Sequence, residues 1–573
     1  MAVERDGRFE WNENRIYGGM RQDVTDAFRH YRMLRNCSVA DHGSVIKDKG
    51  ARRLINAQIT NHITYGGYDA RYSNGSQVLL LFHDNGSAGE VHRFNEANGG
   101  HTNTGSSWTE EHANNAQKKP CVFMFADKLI TIDGSRIRAR NNAASWSAPV
   151  YDNQSASMTS DLKAALNRST FGVVYANRMV VFGDPQNPHT FYSSDVRDPA
   201  VFDATNSVIV LEQSGEKITG ASVIGNHLLV GGENFIRSYY LGTASPKDWD
   251  FETLSSSIGP INWQSFVPIA RYTGNQTVSH NFFWTKNGPM LAVANQKSAP
   301  SLVPLWEPLR RGFLGETYRT LEGFKVSDYP NVEGAWCPEF NEVRFVLSYK
   351  SSSARDLVLC INVDSAIAYA QSAEGVYPMF RIRDNSNFTG GFPADTIFSC
   401  EVASTGAPST TGVHKTLVAK NGRVWELDNK SNCKDEGTGS SDTHAVNFQA
   451  RMDGYDGSED GIRSREKSLR GVHVQATAEG SYNLKCRVLA DGGQAASSNA
   501  TSLAALDEDI NVWGGGDTWG NDNLWNSNEF MFSDIDLHAL GRKFDLEFYD
   551  DGNIEGPVQL NYWSLWGYVE DRR

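Results

Sequence analysis

The feature that most constrains this chain is a pair of short apolar runs joined by a tight Asn- or Asp-bearing tip, which returns along most of its length. Cys121-Val122-Phe123-Met124-Phe125 leads through Ala126-Asp127-Lys128 to Leu129-Ile130-Thr131-Ile132, and Val173-Val174-Tyr175 leads through Ala176-Asn177-Arg178 to Met179-Val180-Val181-Phe182. Val223-Ile224, Gly225-Asn226-His227 and Leu228-Leu229-Val230 repeat the arrangement. Looser copies carry Asn85, Asn287, Asn341 and Asn421 at their tips. Two apolar runs across a short polar turn are a hairpin signal. Asn and Asp suit the tip because they tolerate positive φ and bond their own backbone.

The tip markers Asn85, Asp127, Asn177, Asn226, Asn287, Asn341 and Asn421 are separated by 42, 50, 49, 61, 54 and 80 residues. A period of about 40–50 residues is that of four-stranded propeller blades, so the spacing predicts an all-β chain, a β-propeller of six or seven blades with insertions. The last interval either hides a blade around Leu357-Val358-Leu359-Cys360-Ile361 or carries a long loop. An array of β-sandwiches would also give short strands at regular spacing. Composition agrees with a turn-rich, well-packed chain: 52 of 573 residues are Gly, and 11% are aromatic, enough apolar surface to offset the entropy of ordering it.

Three regions are expected: 1–60 as an N-terminal segment entering the first blade, 61–450 as the propeller with inserted loops, and 451–573 as a C-terminal β-rich, sandwich-like region. The boundary is set by the polar, glycine-rich stretch 453–461. Beyond it, Val472-His473-Val474-Gln475-Ala476 and Phe544-Asp545-Leu546-Glu547-Phe548-Tyr549 alternate with period two, as a sheet with one buried face does. Between them, Trp513, Trp519 and Trp525 stand among glycines. Packing at a sheet edge or subunit interface is the plainer reading of these aromatics, and a ligand platform the other.

No phosphate loop, zinc helix or nucleophile elbow occurs in the sequence. His101 and His112, flanking a polar loop with Glu110-Glu111, come nearest to a histidine cluster and read as solvated. The seven cysteines are scattered and never within four residues of each other, which indicates neither a disulfide framework nor a zinc site. No apolar run reaches the ~20 residues of a spanning helix. The first residues, Met1-Ala2-Val3-Glu4-Arg5-Asp6, do not resemble a secretory signal, so folding in the cytoplasm is expected. The 54 basic and 68 acidic side chains leave a net charge of −14, which argues against a surface that grips nucleic acid. An acidic wall repels phosphates and would instead leave a duplex free to slide.

Several segments in order resemble the tail-hub or tail-nozzle proteins of short-tailed bacteriophages, a group that includes packaged-DNA stabilisation proteins. Gly18-Gly19-Met20, Asn36-Cys37-Ser38-Val39, Gly43-Ser44-Val45-Ile46-Lys47 and Lys49-Gly50 are similar to the opening signature of that group. Tyr192-Ser193-Ser194-Asp195, with Asp198-Pro199 and Phe202, resembles a blade segment. Gly232-Glu233-Asn234-Phe235-Ile236, Trp249-Asp250-Phe251, Ser257-Ile258-Gly259, Phe283-Trp284-Thr285 with Gly288, and Gly422-Arg423-Val424-Trp425-Glu426-Leu427-Asp428 follow in the expected order. The signature positions are Gly18, Gly19, Asn36, Gly43, Gly50, Asp195, Asp198, Pro199, Gly232, Trp249, Gly259, Trp284, Gly288 and Trp425, expected as turn and packing determinants rather than catalytic groups.

The resemblance implies a structural virion protein, assembled in the host cytoplasm, that acts as no enzyme and needs no cofactor or metal. It would form a ring with copies of itself, a hexamer being expected, beneath the portal-adaptor protein. The ring would retain packaged double-stranded DNA, conduct it as a passenger at ejection, and carry tail fibres or spikes on its flank. Two rival expectations stand beside it: a glycan-binding or glycan-hydrolysing propeller, and a cytoplasmic propeller scaffold for protein partners.

Overall fold

The fold is given by a computed structural model. It describes residues 8–569 apart from 13–17, 21–29, 40–43, 55–58, 60–62, 96–106, 116–117, 143–144, 148–157, 204–207, 212–215, 241–244, 274–275, 296–297, 318–321, 372–376, 386–391, 393, 404–411, 429–432, 438–442, 453–462, 479–484, 492–493, 496–530 and 551–557. Gly43, His101, the 453–461 stretch and Trp513, Trp519 and Trp525 therefore lie outside the described residues.

The repeat folds as a seven-bladed propeller. The first strands of the blades begin at Ile63, Cys121, Phe171, Gly220, Val267, Glu333 and Thr396, and they follow one another around a closed ring in which Thr396–Ala403 packs beside Ile63–Arg71. Blades 1 to 5 each run antiparallel in chain order from the inner to the outer strand, and blade 6 does the same from Glu333–Cys337 to Phe380–Asp384. Blade 7 takes only three strands from its own segment, Thr396–Ala403, Gly412–Lys420 and Arg423–Glu426; its fourth is Arg52–Arg53 from near the N-terminus. Trp425↔Arg53 and Glu426↔Arg52 are the pairs that close the ring.

Unequal tip intervals have a geometric cause. Asp127, Asn177, Asn226 and Asn341 sit between the first and second strands of their blades, whereas Asn85, Asn287 and Asn421 sit between the second and third, at the opposite end. One marker fell in each blade, but the markers switched ends four times, and the 80-residue interval is one such switch. Leu357–Asn362 is the third strand of blade 6, not a further blade. Positive φ is met as the tips require: Asp127, Asn177, Asn341 and Asn421 lie between 49° and 57°, and at the other three tips Gly86, Gly225 and Gly288 take the left-handed position beside the Asn.

Both faces of a blade are buried, so its strands read as unbroken apolar runs. Within Gln77–Asp84, Leu79 and Leu81 pack toward blade 7 with Phe398, Leu417 and Val424, while Leu80 and Phe82 pack toward blade 2 with Leu129. Fully burying each such side chain stabilises by about 1.5–3 kcal/mol. Adjacent blades are also laced at their tips: Asp127 accepts from the Ser73 amide and hydroxyl at 2.7 and 2.8 Å, and Tyr175 Oη donates to the Asn226 carbonyl at 2.9 Å.

The C-terminal region is a two-sheet sandwich, and the N-terminal residues are part of it. One sheet contains Lys467–Ala478, Met531–Gly541 and Val558–Val569 together with Arg8–Asn12, Cys37–Val39 and Val45–Lys47. The other contains Gln449–Met452, Lys485–Ala490 and Phe544–Tyr549 together with Gly18–Met20 and His30–Arg35. Phe548 and Trp563 meet between the sheets at 6.4 Å. Residues 1–60, expected as a lead-in to the first blade, thus supply five strands to the sandwich and one to blade 7 before the chain reaches blade 1. His30–Arg35 also pairs in parallel with the outer strand of blade 6, so the second sheet continues that blade.

The tip of blade 2 offers a direct test of turn energetics. Ala126 is exposed at φ 49°, a region that costs an L-residue with a Cβ roughly 1–2 kcal/mol. Glycine removes that strain at a smaller entropic cost. Ala126→Gly is expected to stabilise the fold by about 0.5–1 kcal/mol, read as a raised midpoint in denaturant unfolding.

Candidate functional site

The most heavily charged buried place in the described structure is the joint between propeller and sandwich. The outer strand of blade 6, Phe380-Arg381-Ile382-Arg383-Asp384, alternates: Phe380 and Ile382 enter the apolar core, and Arg381 and Arg383 point to the other face. Arg344 joins them from the second strand, since both Arg344 and Arg381 pair with Cys360. Against these three guanidinium groups stand Glu342 of the same blade, Asp428 just past the third strand of blade 7, Asp435, and Asp48 from the N-terminal segment. Arg344 meets Asp428 at 2.7 Å, Arg381 meets Asp48 and Glu342 at 2.5 Å each, and Arg383 meets Asp435 at 2.5 Å and Asp428 at 3.4 Å. Arg35 adds a contact with Asp384 at 2.7 Å.

Asn36 is the pivot of this joint. It sits between two sandwich strands at φ 54°, fully buried, and its short amide uses every direction it has. Nδ2 donates to Asp384 Oδ1 at 3.2 Å and to the Asn447 carbonyl at 2.6 Å; Oδ1 accepts from the Asp384 amide at 2.8 Å and from Arg383 at 3.3 Å. The Asn36 amide itself donates to the Ile382 carbonyl. Few residues other than Asn combine tolerance of the left-handed region with both donors and acceptors.

The ring-closing strand is held by the same cluster. Asp435 accepts from the Ala51 amide and Glu436 from the Arg53 amide, at 2.6 and 2.8 Å. Trp425 Nε1 donates to the Glu436 carbonyl at 2.7 Å. Gly50 must be glycine here, because a Cβ would lie 1.9 Å from the Lys434 carbonyl oxygen.

Electrostatics separate the carboxylates. Burial alone would raise Asp428, but Arg344, Arg381 and Arg383 around it hold it below the usual carboxylate range. Glu342 is held low in the same way, by Arg381 and Arg344. Asp48 goes the other way: burial, reinforced by the nearby charges of Asp428 and Glu342, outweighs Arg381 and pushes it up to about 6. Four arginines here face five carboxylates, and Asp48 is the one of these carboxylates that takes up a proton as pH falls through about 6.

A second buried ion pair spans the propeller axis. Lys119, two residues ahead of the inner strand of blade 2, runs past Gly66 of blade 1 and donates to Glu333 Oε2 of blade 6 at 2.5 Å and to Thr396 Oγ1 of blade 7 at 3.4 Å. Arg355 pairs with the other oxygen of Glu333 at 3.1 Å and also donates to the Asp395 carbonyl. Burial would raise Glu333, and Lys119 with Arg355 lowers it instead.

The signature positions are brought together only in part. Asn36, Gly50 and Trp425 meet at the joint. Gly232 and Gly259 touch in blade 4, where a Cβ on Gly259 would lie 2.0 Å from the Gly232 oxygen. Trp249 packs edge-on against Tyr175 between blades 3 and 4, and Trp284 is enclosed by Phe313, Tyr329 and Phe345. Gly288 takes φ 125° in the tip of blade 5. Asp195 and Asp198 bridge one turn of blade 3, and Asp198 caps the Ala200 amide beyond Pro199. Gly18 and Gly19 lie in a strand parallel to His30–Arg35. His112 lies on the outer strand of blade 1, paired with Val91. Among the described residues no group of three or more His, Cys, Asp or Glu is placed to hold a metal ion, and no helix is long and apolar enough to cross a membrane.

No family model and no curated protein matches the chain. Among solved structures, the N-terminal part of BBS1, solved in complex with ARL6, is similar at 11% identity with a TM-score of 0.35, over 67% of this chain and 96% of that one. The extracellular domain of the one-component system BT4673 of B. thetaiotaomicron is similar at 9% identity with a TM-score of 0.35, over 90% and 62%. Regucalcin of Agrobacterium tumefaciens is similar at 12% identity with a TM-score of 0.28, over 58% and 93%. The likeness is one of fold.

Two substitutions separate the roles in the joint. Asp428→Asn leaves three buried arginines short of a charge and is expected to cost about 3–5 kcal/mol, measured by denaturant unfolding. Asp48 has a folded pKa above its unfolded value, so its contribution to stability is complete below about pH 4 and is lost as pH rises through about 6. Asp48→Asn is expected to flatten the pH dependence of stability across that window while costing less than Asp428→Asn; an unchanged profile would reject the assignment.

Proposed function

We propose that this chain is a structural virion protein, the tail hub or nozzle of a short-tailed bacteriophage. It would assemble with copies of itself into a ring, with a hexamer expected, below the portal-adaptor protein, retain the packaged genome and conduct it at ejection, with tail fibres or spikes on its flank. The observation that carries this reading is the joint: the N-terminal segment, which supplies strands to the sandwich, and two blades are fastened by one buried ionic network, an attachment of sandwich to propeller suited to a protomer in an assembly under internal pressure. Asn36, Gly50 and Trp425, three of the positions that carry the resemblance, lie in that joint, which supports reading them as determinants of protomer shape.

The axial ion pair restricts where DNA could run. A duplex, whose major groove alone is about 12 Å wide, has no passage through an axis bridged by Lys119 and Glu333 at 2.5 Å. The conduit is therefore the space enclosed by several copies, and the net charge of −14 supports a wall along which phosphates slide rather than bind.

The test is the mass and shape of the purified protein, by light scattering with negative-stain images, alone and with the adaptor protein. Rings in either condition are expected. A chain that stays monomeric in both and binds or cleaves saccharides would overturn the reading in favour of a glycan-active propeller.

A further inference from the structure

Two exposed surfaces on this molecule, one on blade 4 and one on the sandwich, are complementary in character. The first is the outer strand of blade 4, Asp250–Ser255, whose first four residues are all exposed and whose outer backbone edge has no strand partner among the described residues. Phe251 is 48% exposed, with the Arg237 guanidinium 4.7 Å from its ring centre, and exposed Asp248, Asp250 and Glu252 lie along the same edge, Asp250 and Glu252 on the face of the strand opposite Phe251. A free edge with an aromatic side chain is a place where proteins associate unless it is shielded. Two other blades shield theirs: the outer strand of blade 2 is two residues long, Trp146–Ser147, and that of blade 6 is covered by His30–Arg35.

The second surface is one end of the sandwich. Leu540 and Tyr568, 57% and 37% exposed, both lie opposite Ser468 on neighbouring strands, so the register places them on one face. Arg470, in the bulge between Leu469 and Gly471, and Arg542, just beyond the strand end, are exposed beside them. This end combines apolar side chains with two exposed arginines, beside which Asp491 accepts from the Arg542 amide at 2.9 Å, and the blade 4 edge combines an aromatic side chain with exposed acids.

Resting on the ring reading above, we propose that the sandwich end around Leu540, Tyr568, Arg470 and Arg542 docks on the blade 4 edge around Phe251, Asp250 and Glu252 of the next copy. The joint fixes the sandwich to blades 6 and 7, with blade 5 between it and blade 4, so the two patches of one chain stay apart and are satisfied only between chains. A contact that joins two different patches is heterologous, and it builds a ring where its rotation closes and a filament where it does not. Charge complementarity selects this partner and register.

The experiment uses two charge-reversed full-length chains. One carries Asp250→Lys and Glu252→Lys; the other carries Arg470→Glu and Arg542→Glu. All four side chains are exposed, so circular dichroism and thermal midpoint are expected to match the parent. Each variant alone is expected to lose the assembled species in light scattering, its mass falling to that of one chain. An equimolar mixture is expected to recover it, because each reversed edge then faces an oppositely reversed end, giving alternating rings. Should the parent assemble and both variants assemble equally well alone, or should mixing fail to restore what each has lost, this interface is overturned while the hub reading stands. A parent that stays monomeric alone and with the adaptor protein overturns that reading itself.

Discussion

Asp428 and the three arginines around it are the interaction on which the rest of the structure depends. A propeller is a ring of repeated units and must be closed by a segment distant in sequence; a sandwich made from both chain ends must be attached to it. Both problems are solved in one place. Arg383 reaches Asp428 of blade 7, Asp435 behind the closing strand, and Asn36 of the sandwich. Such a network is weak evidence for stability by itself, since removing charges from water costs nearly what their attraction returns. Its distinctive property is directional: guanidinium forks accept few alternative arrangements, so the register between modules is fixed more sharply than an apolar contact would fix it.

The closing strand shows why that matters. Two residue pairs between Arg52–Arg53 and Arg423–Glu426 are too few to hold seven blades shut by backbone bonding, because each net hydrogen bond contributes only about 1 kcal/mol. Closure is instead distributed. Asp435 and Glu436 grip the backbone of the closing strand from outside, Leu54 and Ile59 pack with blades 1 and 7, and Lys119 ties blade 2 to blades 6 and 7 across the axis. A local opening at the seam must break contacts at the outer rim and at the axis together.

How much of this was legible depended on whether the signal was local. The hairpins were, because a tip needs Asn, Asp or Gly within two or three residues of two apolar runs; seven tips marked seven blades. What misled was that a blade has a tip of this kind at each end, so the markers drifted between ends and the period looked irregular. The sandwich was legible as period-two strands after residue 450, but not its N-terminal half, since pairings such as Arg8–Asn12 with Val558–Val569 join residues over 550 positions apart and leave no local trace. The joint was missed for the same reason. Its one sequence signal is Arg381 and Arg383 alternating with Phe380 and Ile382: a strand with apolar residues on one face and arginines on the other is ordinary at a surface, and only the carboxylates brought from residues 48, 428 and 435 show that this face is buried.

The net charge is a poor guide until it is divided by place. Some of the acids are consumed inside: Asp48, Glu342, Asp384, Asp428, Asp435 and Asp550 all pair with buried or half-buried cations. Those able to act on other molecules are the exposed ones, and Asp248, Asp250 and Glu252 are among them at the blade 4 edge. In the proposed ring, a contact at that edge would transmit orientation from one copy to the next only if the sandwich end that meets it did not swivel on its own propeller. For such an assembly, stiffness inside the protomer and specificity between protomers would be one requirement, and the ionic joint, which contributes little net stability for its size, is where the chain would meet it.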